Sequence, residues 1–119
     1  YVIPEEVGTI NCGNTTAEAM LSATIPAGGT YLCIATGLFG SDSATIHEVW
    51  LDIMKNGAVI GNSQGFYGNQ QGLVTGLGSL TATTVAQFAT GDTLSLGAHV
   101  STSHTLLNRR TLIAVRVGV

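Results

Sequence analysis

The stretch His47-Glu48-Val49-Trp50-Leu51-Asp52-Ile53-Met54-Lys55-Asn56-Gly57 decides how this chain folds. Successive side chains of an extended strand point to opposite faces, so His47, Val49, Leu51 and Ile53 share one face and Glu48, Trp50, Asp52 and Met54 the other. The first row reads as core. Asn56-Gly57 follows at once, and this pair is the sharpest hairpin signal in the sequence because both residues tolerate the positive φ that a tight two-residue turn demands. The segment therefore reads as a strand, a turn and a returning strand over residues 58–63.

On either side the same texture continues. Val, Ile, Thr, Leu and Tyr come in short runs between clusters of Gly, Asn, Asp and Ser, with no sustained 3.6-residue apolar period. The runs predict strands at 7–12, 18–26, 30–39, 46–55, 58–63, 79–90, 92–101 and 110–118. Pro26-Ala27-Gly28-Gly29 and Thr90-Gly91-Asp92 supply further turns. Eight short strands in 119 residues indicate a single all-β domain, a sandwich or barrel, with residues 1–17 an N-terminal arm or first strand and 18–118 the core. The stretch 62–78, with five glycines plus Asn69, Gln70 and Gln71, reads as the longest loop. Its Phe66-Tyr67 pair reads as a plug over the open end of the barrel, with a surface binding feature as the alternative.

Only 9% of residues are charged and 45% are apolar, against roughly 25% charged in an average soluble domain. No apolar run approaches the roughly 18 residues of a membrane span, so the excess must be buried in a core and between subunits. The strand patterns point the same way. Tyr31, Cys33 and Ala35 face one side of their strand and Leu32, Ile34 and Thr36 the other; Leu112 and Ala114 oppose Thr111, Ile113, Val115 and Val117. A sheet apolar on both faces must be covered on both, and the most economical second cover is another copy of the same sheet. Leu32, Ile34, Ile113 and Val115 are therefore candidate interface residues, as is Trp50, the one tryptophan, on the face opposite the core row. A sugar-stacking role is the alternative for Trp50.

Net charge is −3, and the four basic residues, Lys55, Arg109, Arg110 and Arg116, form no stripe interleaved with aromatics, so nucleic-acid binding is not expected. The start, from Tyr1, has neither the basic nor the apolar region of a signal peptide, and the absence of an initiator methionine suggests a processed product or fragment.

Chemistry-bearing residues are sparse. Cys12 and Cys33 match no metal or redox spacing; Cys33 reads as a small buried hydrophobe and both as reduced, a single disulfide being the alternative. His99 and His104 fit no ligand spacing and read as solvent-facing, while His47 reads as a structural histidine on the core row. Asp92, after Gly91, reads as an acceptor of backbone N–H bonds. Arg109 and Arg110 read as salt-bridge partners of a neighbouring subunit or holders of an anionic ligand. Asn14-Thr15-Thr16 matches a glycosylation acceptor, meaningful only on a eukaryotic secretory route. The histidines and aspartates come with no nucleophile-elbow pattern, so no catalytic residue, metal or cofactor is expected. The ligand-binding candidates are Phe66, Tyr67, Asn69, Gln70, His104 and Arg109, in the loops 62–78 and 101–109.

Four segments in order carry a resemblance: Ala23 through Ile34 with its Pro26, Gly28, Gly29 and Tyr31; Val49 through Gly57 with Lys55-Asn56-Gly57; Leu80 through Leu96 with Gly91-Asp92-Thr93-Leu94; and Leu112 through Val117. Together they resemble the tumour necrosis factor and complement globular-head superfamily over residues 18–118. The resemblance implies a jelly roll of the ten-strand type that packs as a homotrimer through one sheet, with the last strand near the threefold axis. Few aromatics and a Gly/Ala/Thr-rich texture look more like bacteriophage fibre heads, virion decoration proteins or bacterial spore-surface domains than like the animal members, so no receptor-binding residue is carried over. The expected function is a non-enzymatic structural and recognition module at a virion or extracellular surface, partnered by itself and by a host receptor or glycan. The alternative is a capsid decoration protein that contacts viral capsid or tail proteins and stabilises a shell. A small hydrolase is a third possibility, disfavoured for want of a site.

Overall fold

A computed structural model describes residues 2–11, 16–41, 47–67, 75–101 and 105–119. Eight strands follow one another: β1 (Val2–Asn11), β2 (Glu18–Thr24), β3 (Gly29–Ser41), β4 (His47–Lys55), β5 (Ala58–Tyr67), β6 (Thr75–Phe88), β7 (Thr93–Val100) and β8 (Thr105–Gly118). They form two antiparallel four-stranded sheets, ordered β1-β8-β3-β6 and β2-β7-β4-β5. The all-β expectation holds, and no helix occurs among the described residues. Accordingly none there is long and apolar enough to cross a membrane.

The pairings are nested about the β4–β5 turn. β4 pairs with β5, β3 with β6, β2 with β7 and β1 with β8, as if the whole chain were doubled back at its middle and the doubled ribbon then wrapped into two layers. Contacts between β3 and β8, and between β4 and β7, complete each sheet. At the doubling point Asn56 has φ 50° and Gly57 φ 84°, the left-handed pair that a primed hairpin turn needs to match the twist of its strands.

Between the sheets lie the inward rows. Tyr31, Cys33, Ala35 and Phe39 of β3 and Leu107, Leu112 and Ala114 of β8 face Val49, Leu51 and Ile53 of β4 and Leu94, Leu96, Ala98 and Val100 of β7. The Val49, Leu51, Ile53 row is fully buried, as the alternation predicts. Cys33 is a free, buried thiol, and burial pushes its pKa up; Cys12 lies outside the described residues.

Three turns meet at one end of the sandwich and tie one another. Ala89 N–H donates to Asp92 Oδ2 at 2.8 Å and Asn56 Nδ2 to Asp92 Oδ1 at 3.0 Å. Asn56 Oδ1 in turn accepts from Thr93 N–H at 2.8 Å, while Ile25 N–H donates to the Asp92 carbonyl and Gly91 N–H to the Ile25 carbonyl. The Asp92 carboxylate thus accepts one backbone N–H, that of Ala89, as its position predicts. Lys55 reaches the Gln87 carbonyl at 2.7 Å and lies 3.8 Å from Asp92; Tyr31 Oη donates to the Ala27 carbonyl at 2.6 Å.

Several strand ends differ from the sequence reading. β5 continues to Tyr67 rather than 63, β6 begins at Thr75 rather than 79, β8 at Thr105 rather than 110, and β1 covers Val2–Asn11 rather than 7–12. The Gly-, Asn- and Gln-rich ends look like loop by composition, yet a ladder is made by backbone groups. Asn62 through Phe66 pair with Asp52 through Glu48, and Gly78 and Ser79 with Phe39 and Leu38. Pairing with a well-formed neighbour overrides weak strand propensity. Phe66 and Arg109 are therefore strand residues, and the residues expected as one long loop at 62–78 belong mostly to β5 and β6.

Gly97 of β7 faces the Met54 sulfur, and an added Cβ would also lie 2.9 Å from the Glu18 carbonyl oxygen. Gly97→Ala is expected to lower unfolding free energy by about 1–3 kcal/mol through overpacking, read by urea titration. The Asn56 amide, then the Ala89 N–H and Lys55, hold the Asp92 carboxyl below its usual range. Its stabilisation is present above the ordinary carboxylate pKa and lost as pH falls through the lowered value. Asp92→Ala should depress the melting temperature at neutral pH, and the gap to wild type should close in strong acid.

Candidate functional site

Two outer faces remain after the core is filled. On the β1-β8-β3-β6 sheet the outward row of β3 is Leu32, Ile34, Thr36 and Leu38, all half-buried. Register sets Leu32 between Val85 of β6 and Val115 of β8, and Ile34 between Thr83 and Ile113. Val85, Val115 and Val117 are 61%, 44% and 57% exposed. Leu32, Ile34, Ile113 and Val115, named from sequence as interface candidates, therefore form one patch, to which Val85 and Val117 add. The sequence pattern did not single out Val85, because the Thr81-Ala82-Thr83-Thr84-Val85-Ala86 run gives no clear alternation.

Farther along the same face the chemistry changes. Arg109, Leu38 and Ser79 align across β8, β3 and β6, and Thr111, Thr36 and Thr81 form the adjacent row. A cavity of about 260 Å³ opens here, lined by Thr36, Leu38, Ser79, Arg109, Arg110 and Thr111. Arg109 is exposed. Arg110, expected to meet a neighbouring subunit or a ligand, is instead buried in its own chain, where Nε donates to the Met20 carbonyl at 3.1 Å.

Trp50 is not part of the apolar patch: it lies on the outer face of the other sheet, because β4 belongs to β2-β7-β4-β5. Its ring stacks on His99 of β7, with centroids 4.6 Å apart and planes within 2°. His99 Nδ1 is 2.6 Å from Asp52 Oδ2. Asp52 is fully buried, and its Oδ1 has no hydrogen-bond partner among the described residues. Burial raises the Asp52 pKa, opposed by His99 and more weakly by Asn62. His99 is thus a half-buried, paired side chain rather than the solvent-facing one expected. Sequence places Trp50 and Asp52 on one face, but only the β4–β7 register, Trp50 opposite His99, brings the third member in.

The same face carries Gln64, whose Nε2 donates to Glu48 Oε2 at 3.0 Å, and Phe66, 66% exposed opposite Glu48. Such exposure excludes the plug for Phe66. An aspartate-oriented imidazole can serve as a base, but Ser101, two residues on from His99, receives the Glu48 N–H at 3.0 Å instead. Among the described residues no three His, Cys, Asp or Glu side chains gather to hold a metal. The side chains of His47 and Tyr67, and all of Asn69, Gln70 and His104, lie outside the described residues.

No family model matches the chain. No curated protein matches it either. Among solved structures it is similar to part of the insecticidal delta-endotoxin Cry8Ea1 of Bacillus thuringiensis, at 16% identity and TM-score 0.47, covering 81% of this chain and 20% of that one. It is also similar to part of dimeric latent PorU of Porphyromonas gingivalis, at 12% identity and TM-score 0.55, covering 92% of this chain and 11% of that one. The chain thus spans a small fraction of either protein, and the PorU likeness is one of fold alone.

A carboxyl with a raised folded pKa contributes stability that is present below its unfolded pKa and lost as pH rises through the raised value. Asp52 is such a group. Asp52→Asn keeps an acceptor for His99 and removes the charge. It is expected to melt higher than wild type at neutral pH, with the gain vanishing on acidification, as followed by circular dichroism.

Proposed function

We propose that this chain is a jelly-roll sandwich that assembles as a homotrimer through the outer face of its β1-β8-β3-β6 sheet and acts as a non-enzymatic structural and recognition module at a virion or cell surface, engaging a receptor or glycan. The jelly-roll reading is supported by the nested pairing, in which a doubled chain is wrapped so that neighbours in each sheet come from opposite halves.

One observation carries the assembly: Leu32, Ile34, Val85, Ile113, Val115 and Val117 present a contiguous aliphatic surface on three adjacent strands. Covering what they still expose is worth on the order of 1 kcal/mol apiece at about 25 cal/mol per Å². Isolated exposed aliphatics are ordinary, but a contiguous patch marks an association site. The paired positions Val85-Leu32-Val115 and Thr83-Ile34-Ile113 carry no Lys, Arg, Asp or Glu, so no charge need be stripped of water where they meet a partner. The segments that resemble the tumour necrosis factor and complement globular-head superfamily favour three copies, with β8 nearest the axis, and β8 supplies three of the six side chains.

Light scattering on the full chain at micromolar concentration should return about three times the mass of one chain. Val115→Asp, a change at an exposed position, should weaken assembly at least tenfold and leave the melting profile of the dissociated chain folded and cooperative. Single-chain mass for the wild type would overturn the assembly.

A further inference from the structure

The geometry points to the cavity at the polar end of the β1-β8-β3-β6 face as a binding site for the carboxylate of an acidic monosaccharide unit, with Arg109 as the residue that selects the charge. The assignment deepens the recognition half of the proposed function and rests on it.

The chain carries an excess of acid, −3 overall with four basic residues, yet Arg109 and Arg110 both line this one cavity. The other two cations are engaged at the opposite end of the strands: Arg116 Nη2 donates to the Gly28 carbonyl at 2.6 Å, and Lys55 to the Gln87 carbonyl at 2.7 Å. Arg109 stays exposed at the cavity. A guanidinium offers a planar fork of donors that matches a carboxylate in two parallel hydrogen bonds.

The rest of the lining fits the body of a sugar rather than a bare ion. Ser79, Thr36 and Thr111 supply hydroxyls, each able to donate one hydrogen bond and accept others, which suits the alternating donors and acceptors of a polyol. Leu38 lies between Arg109 and Ser79 in the row and gives an apolar surface for the C–H face of a ring. The volume, about 260 Å³, lies just below the usual range of small-molecule sites, roughly 300–1,000 Å³. That exceeds what an inorganic anion fills and admits one terminal residue rather than an oligosaccharide.

Position agrees with chemistry. Thr36 and Leu38 stand two and four residues beyond Ile34, the nearest member of the aliphatic patch on β3, roughly 7–13 Å at about 3.3 Å per residue. Self-association over the aliphatic end therefore leaves the hydroxyl-lined end at the rim of the contact.

Isothermal titration of the full chain with N-acetylneuraminic acid and with glucuronic acid should show binding, at least tenfold tighter than galactose. Arg109→Lys should weaken the acids tenfold or more, because a point charge cannot reproduce the fork, and Arg109→Ala should abolish binding. Gln64→Ala, on the opposite sheet, should bind as wild type does. Either acid binding no better than galactose, binding retained by Arg109→Ala, or displacement by sodium sulfate at equal concentration would overturn the site as assigned. Light scattering on the same samples separates the two proposals: a trimer that takes up neither acid overturns this site alone, whereas a single-chain mass with acid binding supports the site and overturns only the assembly.

Discussion

The doubling of the chain at Asn56-Gly57 sets every other contact in the sandwich. A turn with two left-handed residues sets the first pairs of β4 on β5, Lys55 with Ala58 and Met54 with Val59, before a bulge shifts the ladder by one residue, and the other strand pairs nest outside this one. Local geometry alone would leave this hairpin marginal, since two strands by themselves are scarcely stable in water. It is secured from outside by the Asn56 side chain, which bonds both the Asp92 carboxylate and the Thr93 N–H and so joins the β4–β5 turn to the β6–β7 turn. The Ile25 and Asp92 backbones add the β2–β3 connection. One end of the sandwich is thereby held by short polar contacts, and the apolar rows between the sheets do the rest.

From that arrangement the two outer faces acquire different characters. β3 and β8 lie side by side in one sheet, so their outward aliphatic rows become adjacent and reinforce each other. β4 and β7 lie side by side in the other, where the outward residues are Trp50, Asp52 and His99. The first face is an open hydrocarbon surface with a polar cavity beyond it. On the second, the ring stack and the 2.6 Å contact between Asp52 and His99 close the residues on one another.

What the sequence made legible was whatever local physics encodes. Strict alternation from Val49 to Ile53 identified a buried row, Asn56-Gly57 identified its turn, and Gly91-Asp92 identified a carboxylate that caps backbone N–H groups. The two-faced strands at Leu32, Ile34, Ile113 and Val115 also came together as one patch. Features that depend on register between distant strands were hidden. His99 looked like an isolated surface histidine because its partners are 47 and 49 residues away in the chain. Trp50, read as an interface candidate beside Leu32 and Ile34, lies on the other sheet from them, because sheet membership is not written in a single strand. The start of β8, Thr105-Leu106-Leu107-Asn108-Arg109, was missed despite its two leucines. The ends of β5 and β6 were missed because glycine, asparagine and glutamine give no apolar signal even when their backbones are paired.

That last miss has a physical counterpart. β5 is an outermost strand of its sheet, so among the described residues one row of its amides and carbonyls is not laddered to another strand, although β6 of the other sheet runs beside it with Thr84 against Gly61. Bare rims of this kind invite pairing with any other chain, and proteins guard them by denying the newcomer a greasy, regular surface. Gly61-Asn62-Ser63-Gln64-Gly65 does this with small and amide side chains. The composition that disguises the segment as loop thus makes this edge a poor template for strand-to-strand pairing between copies of an unusually apolar chain.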